Sequence, residues 1–303
     1  MAVSRVLVLR ALGVGDLLTA VPALRAIRRG RPGDHITLAA PAWLADLVPL
    51  IGAVDELLPA GELEPIRARG EDLAVNMHGC GPRSHCLLKA TGPGRLWAYA
   101  NPVAGFADGP RWREDEHEVA RWCRLVEWYG LRPDPRDLSL AVPDAPSPAP
   151  GAIVVHPGGK SPARRWPAGR FAEVARALAA DGHEIVVTGN AAEESLAEAV
   201  GCRSLAGRTS LAELCALIAG ARLVITGDTG AAHLATAYGT PSVIVFGPIP
   251  PTRWGPPPGP RHTVLWPGTT SDPDADRPGP ELLATTPAMV LAAARAHLRV
   301  PAR

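Results

Sequence analysis

The chain has 303 residues, of which 47% are hydrophobic and 20% charged, and its formal net charge is +1. That length suits two domains of about 150 residues each, and the neutral balance excludes bulk nucleic-acid binding, which needs a basic surface. The five cysteines, Cys80, Cys86, Cys123, Cys202 and Cys215, form no C-x-x-C pair and are odd in number, so a reducing compartment is expected rather than a disulfide framework.

The first apolar run, Val6 to Leu9, lies between Arg5 and Arg10 and is too short for a signal-peptide core. No later segment offers about 18 uninterrupted apolar residues, so no transmembrane segment is expected. The expected location is cytoplasmic, with peripheral membrane contact left open. Strand 5–10 is predicted to lead into helix 15–29, strand 35–40, helix 42–50, strand 54–58, helix 62–69 and strand 72–76. Helical stretches near 83–90 and 115–129 follow. Residues 141–151, AVPDAPSPAPG, read as a stiff, turn-forming linker.

Beyond the linker the alternation is regular. Strands are predicted at 152–155, 184–188, 203–205, 223–226 and 242–246, with helices at 168–180, 191–200, 211–219 and 229–238. Leu211, Leu214, Cys215 and Ile218 fall at helical spacing behind a capping box of Ser210 and Glu213. Such alternation implies parallel sheets covered by helices on both faces. Residues 267–287, rich in Pro, Gly and Asp, read as a surface loop. Thr286-Pro287 then opens a last helix from Ala288 to Leu298, with proline at the favoured first position.

The most informative stretch is 224–254, VITGDTGAAHLATAYGTPSVIVFGPIPPTRW. A strand meets Gly227-Asp228-Thr229-Gly230, a small-residue helix follows, Gly239 and Pro241 end it, and a second strand returns. This βαβ turn aims backbone N–H groups and a positive dipole end at its ligand, a geometry suited to phosphate. Asp228 and Thr229 add a carboxylate and a hydroxyl, and His233 lies one turn into the helix on the same face. A single D-T-G triplet followed by helix formers does not fit an aspartic protease, which needs two facing triplets.

Gly13-Val14-Gly15-Asp16 follows the first strand and opens a helix. As a dinucleotide fingerprint it lacks the third glycine, since Leu18 stands there. Asp16 then serves as a helix N-cap, as a base at the edge of a cleft, or as both. His156-Pro157-Gly158-Gly159-Lys160-Ser161 is no P-loop, because the first glycine of that motif would fall at Val154. It remains a glycine-rich turn with Lys160, Arg164 and Arg165 beside a helix N-terminus, which suits a diphosphate or is simply a solvated basic loop. His78, Cys80, His85 and Cys86 do not have zinc-site spacing. Glu114 to Glu118 read as an acidic helix start.

Four segments in order, VLVLRALGVGDLLTAVPALRAIRR, HPGGKSPARRWPAGRF, LAGRTSLAELCALIAGARLVITGDTGAAHLATAYGTPSVIVFG and GPIPPTRWGP, resemble glycosyltransferase family 9, the ADP-heptose:lipopolysaccharide heptosyltransferases and their relatives. The resemblance implies an α/β protein of GT-B fold, with two Rossmann-like domains facing a central cleft. Residues 1–141 would form the acceptor domain and 151–285 the nucleotide-sugar domain, with helix 286–299 packing back on the first. It implies inverting transfer from a nucleotide sugar, a substrate rather than a cofactor, to a glycan or small-molecule hydroxyl, with no metal required. Asp16 falls at the proposed base and Arg164 at the diphosphate-binding cation, with Lys160 beside it. Asp228, Thr229, Gly230 and His233 fall on the donor motif, and Glu193 on an acidic donor contact. Acceptor-side candidates are Gly15, Asn76, His78 and Arg83.

The chain departs from the family at Ala11-Leu12, where enterobacterial members carry Ser-Ser, and at Asn76-Met77-His78, where many carry an acidic residue and Gln. Both departures touch the acceptor side. The alternatives are a nucleotide-sugar epimerase of the same architecture and a non-catalytic nucleotide-binding protein. The Ala-, Arg- and Pro-heavy composition points to a GC-rich bacterium. Sugar, nucleotide and acceptor class stay open at this level.

Overall fold

The computed structural model describes residues 3–299. Its packing separates into two compact units, with the division between Ala141 and Val142. The first contains β1 (Arg5–Leu9), α1 (Val14–Thr19), α2 (Val21–Gly30), β2 (His35–Ala40), a 3₁₀ turn (Ala42–Leu47) running into α3 (Val48–Ile51), β3 (Glu56–Pro59), β4 (Leu73–Asn76), α4 (Arg83–Ala90), β5 (Leu96–Trp97) and α5 (Glu118–Trp128). The strands pair in parallel in the order β3-β2-β1-β4-β5. Val6 to Leu9 and all of β4 are buried, as continuous apolar strands are when helices cover both faces.

Two predicted helices of this unit are corrected. The helix predicted at 15–29 breaks at Ala20, because Pro22 near the start of α2 has no N–H to donate one turn back. The helix predicted at 62–69 does not form. Leu63 has a left-handed backbone at φ 53°, and Pro65 drives Glu64 away from helical angles.

The second unit contains β6 (Ile153–His156), a 3₁₀ turn (Pro162–Arg164), α6 (Ala168–Ala180), β7 (Ile185–Val187), α7 (Glu194–Val200), β8 (Arg203–Ser204), α8 (Leu211–Ala219), β9 (Leu223–Gly227), α9 (Gly230–Tyr238), β10 (Ser242–Val245), α10 (Pro251–Trp254), β11 (His262–Leu265), α11 (Pro280–Ala284) and α12 (Pro287–Leu298). Its strands are again parallel, in the order β11-β10-β9-β6-β7-β8. The capping box forms as predicted: Glu213 N–H donates to Ser210 Oγ at 3.1 Å, and Ser210 N–H to Glu213 Oε2 at 2.8 Å.

The segment predicted as a surface loop, 267–287, instead holds α11, and Leu282 is fully buried in the core with Phe171, Val174 and Leu178. The last helix, α12, lies on α6, β9 and β10 of the second unit. Val290 and Ala294 supply the apolar face that completes that core, which fixes the helix there.

In each sheet the strand order turns at the unit's first strand. β1 lies between β2 and β4, and β6 between β7 and β9. The connections leaving the two strands at such a point diverge to opposite faces and open a crevice at their carboxyl ends, where α/β sheets bind ligands. The segments after β1, β4, β6 and β9 are the ones that carry the candidate site residues.

Candidate active site

In the second unit the switch point is closed by an ion pair. β9 ends at Gly227, and Asp228 follows with only 8% of its surface exposed. Its Oδ2 accepts from Arg164 Nη2 at 2.5 Å. Arg164 ends the 3₁₀ turn after β6, so this contact joins the turns leaving the two central strands. Thr229 is the N-cap of α9, yet its hydroxyl does not cap the helix and pairs instead with Thr226 Oγ1 at 2.9 Å. The first N–H groups of a helix have no intrahelical acceptor and carry the positive end of its dipole. Arg164, Asp228, Thr229 and Gly230 are therefore brought together around a cationic helix start. His233 lies on the same helix, half-buried, with its ring edge-to-face on Trp254 at 5.9 Å.

Lys160 stands exposed on the turn after β6. Arg165 anchors that turn, donating from Nε to Gly159 O at 2.9 Å. Glu193 is nearly buried. Its Oε1 accepts from Gly159 N–H at 2.9 Å and its Oε2 from Asn190 N–H at 3.0 Å, so the carboxylate ties the turn after β6 to the turn after β7. A Cβ on Gly158 would lie 2.3 Å from Glu193 Oε1, so a larger residue there would displace the Glu193 carboxylate. His156 shares a hydrogen bond with Thr188 Oγ1 at 3.1 Å. Burial holds His156 below the ordinary imidazole range, with Glu193 opposing.

Residues missed by sequence reasoning also meet this turn. Ser161 Oγ donates to Pro273 O at 2.5 Å, Ala163 N–H to Ala275 O at 3.2 Å, and Trp166 Nε1 to Thr285 O at 2.9 Å. The 273–285 segment is thus fastened along the basic turn. Partners more than 100 residues apart leave no local signal, and the Pro- and Asp-rich composition pointed toward solvent.

In the first unit, Asp16 is the third residue of α1, and Gly13 rather than Asp16 is the N-cap. The carboxylate reaches back so that its Oδ2 accepts from Gly13 N–H at 3.2 Å. Its Oδ1 lies 3.5 Å from Arg10 Nη2, and about a third of the side chain stays exposed. Gly15 is half-buried beside it on α1. Asn76 is not a surface group: it is fully buried, its Nδ2 donates to Ser84 Oγ and to His85 Nδ1, both at 3.0 Å, and its Oδ1 accepts from His78 N–H at 3.1 Å. Asn76 therefore shapes the turn after β4 from within. His78 on that turn is half-buried, and its Nδ1 has no hydrogen-bond partner. Burial lowers its pKa, Arg10 adds to the shift, and Glu62 and Asp16 oppose it. Arg83 is exposed in the first turn of α4.

Among the described residues no group of three or more His, Cys, Asp or Glu side chains is placed to hold a metal ion. No described helix is long and apolar enough to cross a membrane.

Comparison with known proteins identifies the family and the fold. The sequence model described as glycosyltransferase family 9 (heptosyltransferase) matches residues 111–283. Lipopolysaccharide heptosyltransferase 2 of Salmonella typhimurium is 24% identical, over 82% of this chain and 84% of the relative. The enzyme of the same name from Escherichia coli is 25% identical over the same shares. The structure of E. coli ADP-heptose lipopolysaccharide heptosyltransferase II superposes with a TM-score of 0.77 at 22% identity, covering 97% of this chain and 98% of that one. An E. coli heptosyltransferase solved with ADP gives a TM-score of 0.75 at 20% identity, covering 97% and 99%. The fold is GT-B, built from two Rossmann-like units. With more than half its length matched by the family's sequence model, the chain belongs to glycosyltransferase family 9 and is a glycosyltransferase.

Proposed function

We propose that the protein transfers a heptose from ADP-heptose, with inversion at the anomeric carbon, to a hydroxyl of a glycan of the lipopolysaccharide-core class. The observation that carries the reading is the Arg164–Asp228 ion pair beside the N-terminus of α9, at the switch point of the second sheet. The sugar and nucleotide are taken from the relatives, which are named as lipopolysaccharide heptosyltransferases, and from a solved relative bound to ADP. No observation favours an epimerase or a non-catalytic protein.

In this reading Asp16 takes the proton of the acceptor hydroxyl, whose oxygen attacks the anomeric carbon as the bond to the diphosphate oxygen breaks. ADP leaves with the bonding electron pair. Arg164, Lys160 and the first N–H groups of α9 receive the charge that develops on the diphosphate. Asp228 holds the Arg164 guanidinium in place, and Thr229, Gly230 and His233 line the donor side. Glu193 acts mainly by fixing the two glycine turns. Gly15, His78 and Arg83 remain on the acceptor side, while Asn76 acts through the loop it supports. The nucleotide sugar is a substrate, and the reading calls on no resident cofactor. The expected site of action is the cytoplasm.

The test pairs two variants. Asp16→Asn should keep affinity for ADP-heptose while turnover falls by about 10²–10⁴, the range for a lost general base. Asp228→Asn should weaken donor binding, and it should also cost stability of about 1–3 kcal/mol, because it leaves the half-buried Arg164 without its anion. Donor affinity is read by calorimetry and turnover by ADP release. Wild-type turnover in Asp16→Asn, or unchanged affinity in Asp228→Asn, would remove that residue from its role.

A further inference from the structure

The surroundings of Asp16 hold a second carboxylate that the reaction does not use directly. Arg10, the residue after β1, is only 1% exposed. Its guanidinium is fixed on every side. Nε donates to Asp16 O at 2.9 Å, Nη1 to Met77 O at 2.5 Å and Nη2 to Thr19 Oγ1 at 3.3 Å, while the group lies over the Trp122 ring at 4.5 Å. Two carboxylates flank it: Asp16 Oδ1 at 3.5 Å and Glu118 Oε2 at 3.7 Å.

Glu118 comes from the first turn of α5, where sequence reading assigned it to the helix dipole. It is nearly buried, and its other contacts are Arg121 Nε at 2.8 Å and Trp122 Nε1 at 3.0 Å. Arg121 is itself buried, and it also donates to the carbonyls of Arg113 and Glu116. The charged or titratable groups around Arg10 are therefore Asp16 from α1, Glu118 and Arg121 from α5, and His78 from the turn after β4. Burial weakens the hold of Arg10 on its proton, and the two carboxylates oppose that.

We propose that Glu118 and Arg10 are positioning residues for the base, a buried pair in which Glu118, shared with Arg121, keeps an anion beside Arg10 at the moment Asp16 takes up the acceptor proton. The inference rests on Asp16 being the base. A base paired only with a buried cation would strand that cation on becoming neutral, and an unpaired buried charge is strongly unfavourable. Here the second carboxylate is already in place, so proton transfer to Asp16 leaves Arg10 beside an anion. Arg10 in turn orients Asp16 through its backbone carbonyl and one carboxylate oxygen, while the Gly13 N–H holds the other. About a third of the Asp16 side chain still faces solvent, where an acceptor hydroxyl can approach.

The test measures kcat and donor KM, with turnover read as ADP released from ADP-heptose, using either a heptose-free lipopolysaccharide core or water as the acceptor. Glu118→Gln keeps the size of the side chain and its acceptor for Trp122. It should lower kcat about tenfold, within the range of couplings between groups in contact, with donor KM unchanged. The same substitution in an Asp16→Asn background should cost nothing further, because no base is left to support. Arg10→Lys, which keeps the charge but loses the fork, should behave in the same way and serves if Glu118→Gln does not fold. Wild-type kcat in both variants, or an equal loss with and without Asp16, would overturn the proposal while Asp16 stays the base. Near wild-type turnover in Asp16→Asn alone would instead overturn the base reading, and this inference with it. A wild-type protein that releases no ADP with either acceptor would overturn the proposed function and this inference together.

Discussion

At the scale of single residues, the turn after β6 depends on atoms that are absent. Gly158 leaves room for the Glu193 carboxylate, and Glu193 in turn satisfies backbone N–H groups of Gly159 and Asn190 that would otherwise be poorly solvated. Gly158→Ala should therefore push Glu193 off both donors and destabilise the second unit by about 1–3 kcal/mol. ADP-heptose affinity should fall along with the urea midpoint, because the turn that carries Lys160 loses its anchor. A variant with the wild-type midpoint would mean that Glu193 is free to move. The Asp228–Arg164 pair shows a related division of labour. Both side chains were candidates in sequence, but their mutual contact was not legible there, and in the proposed reading it makes Asp228 a support for the cation.

At the scale of elements, chemistry-bearing turns were easier to read than the segments packed around them. The strand–turn–helix at β9 and α9 follows from a buried apolar run, two glycines and a proline, all within 25 residues, so local chemistry dictates it. The 267–287 segment is the opposite case. Its polar and proline-rich composition concealed one leucine that fills the core. Leu282 is fully buried beside Val290 and Ala294, and its side chain lies against Gly247. Leu282→Ala should cost about 2–5 kcal/mol, the range for a core leucine, whereas the neighbouring, exposed Leu283→Ala should stay within about 0.5 kcal/mol. Urea unfolding of the two variants makes the comparison, and equal small effects would place α11 outside the core.

At the scale of the whole molecule, five of the nine histidines share one electrostatic condition. His78, His85, His156, His262 and His297 are all held below the ordinary imidazole value, each chiefly by burial. His262 is pushed to about 4, with His297 and Arg261 adding to burial, and its Nδ1 meets Ser242 Oγ at 2.9 Å. A depressed folded-state pKa means that the unfolded chain takes up protons first. The stabilisation is whole above about pH 6.5 and is lost as pH falls toward the folded values. Stability should drop between pH 7.5 and pH 5, with His262 contributing roughly 1–2 kcal/mol after allowance for its partial exposure. His262→Asn should flatten that slope. Urea midpoints taken across the range decide it, and a midpoint independent of pH down to 5 would contradict the buried, neutral assignment.

The sequence by itself determined the alternation of strands and helices, the family, and the residues that make up the turns after β1, β6 and β9. Each of these is written in short-range terms: apolar period, glycine and proline placement, capping pairs, and the residue types a diphosphate or a base requires. Only the tertiary structure decided that α12 completes the second unit's own core, that α11 is buried, that Asn76 is internal, and that Glu118 stands across Arg10 from Asp16. These are contacts between elements far apart in the chain. An acidic residue in a helix's first turn reads as a dipole partner until packing against β1 and α1 turns it into the countercharge of a buried arginine.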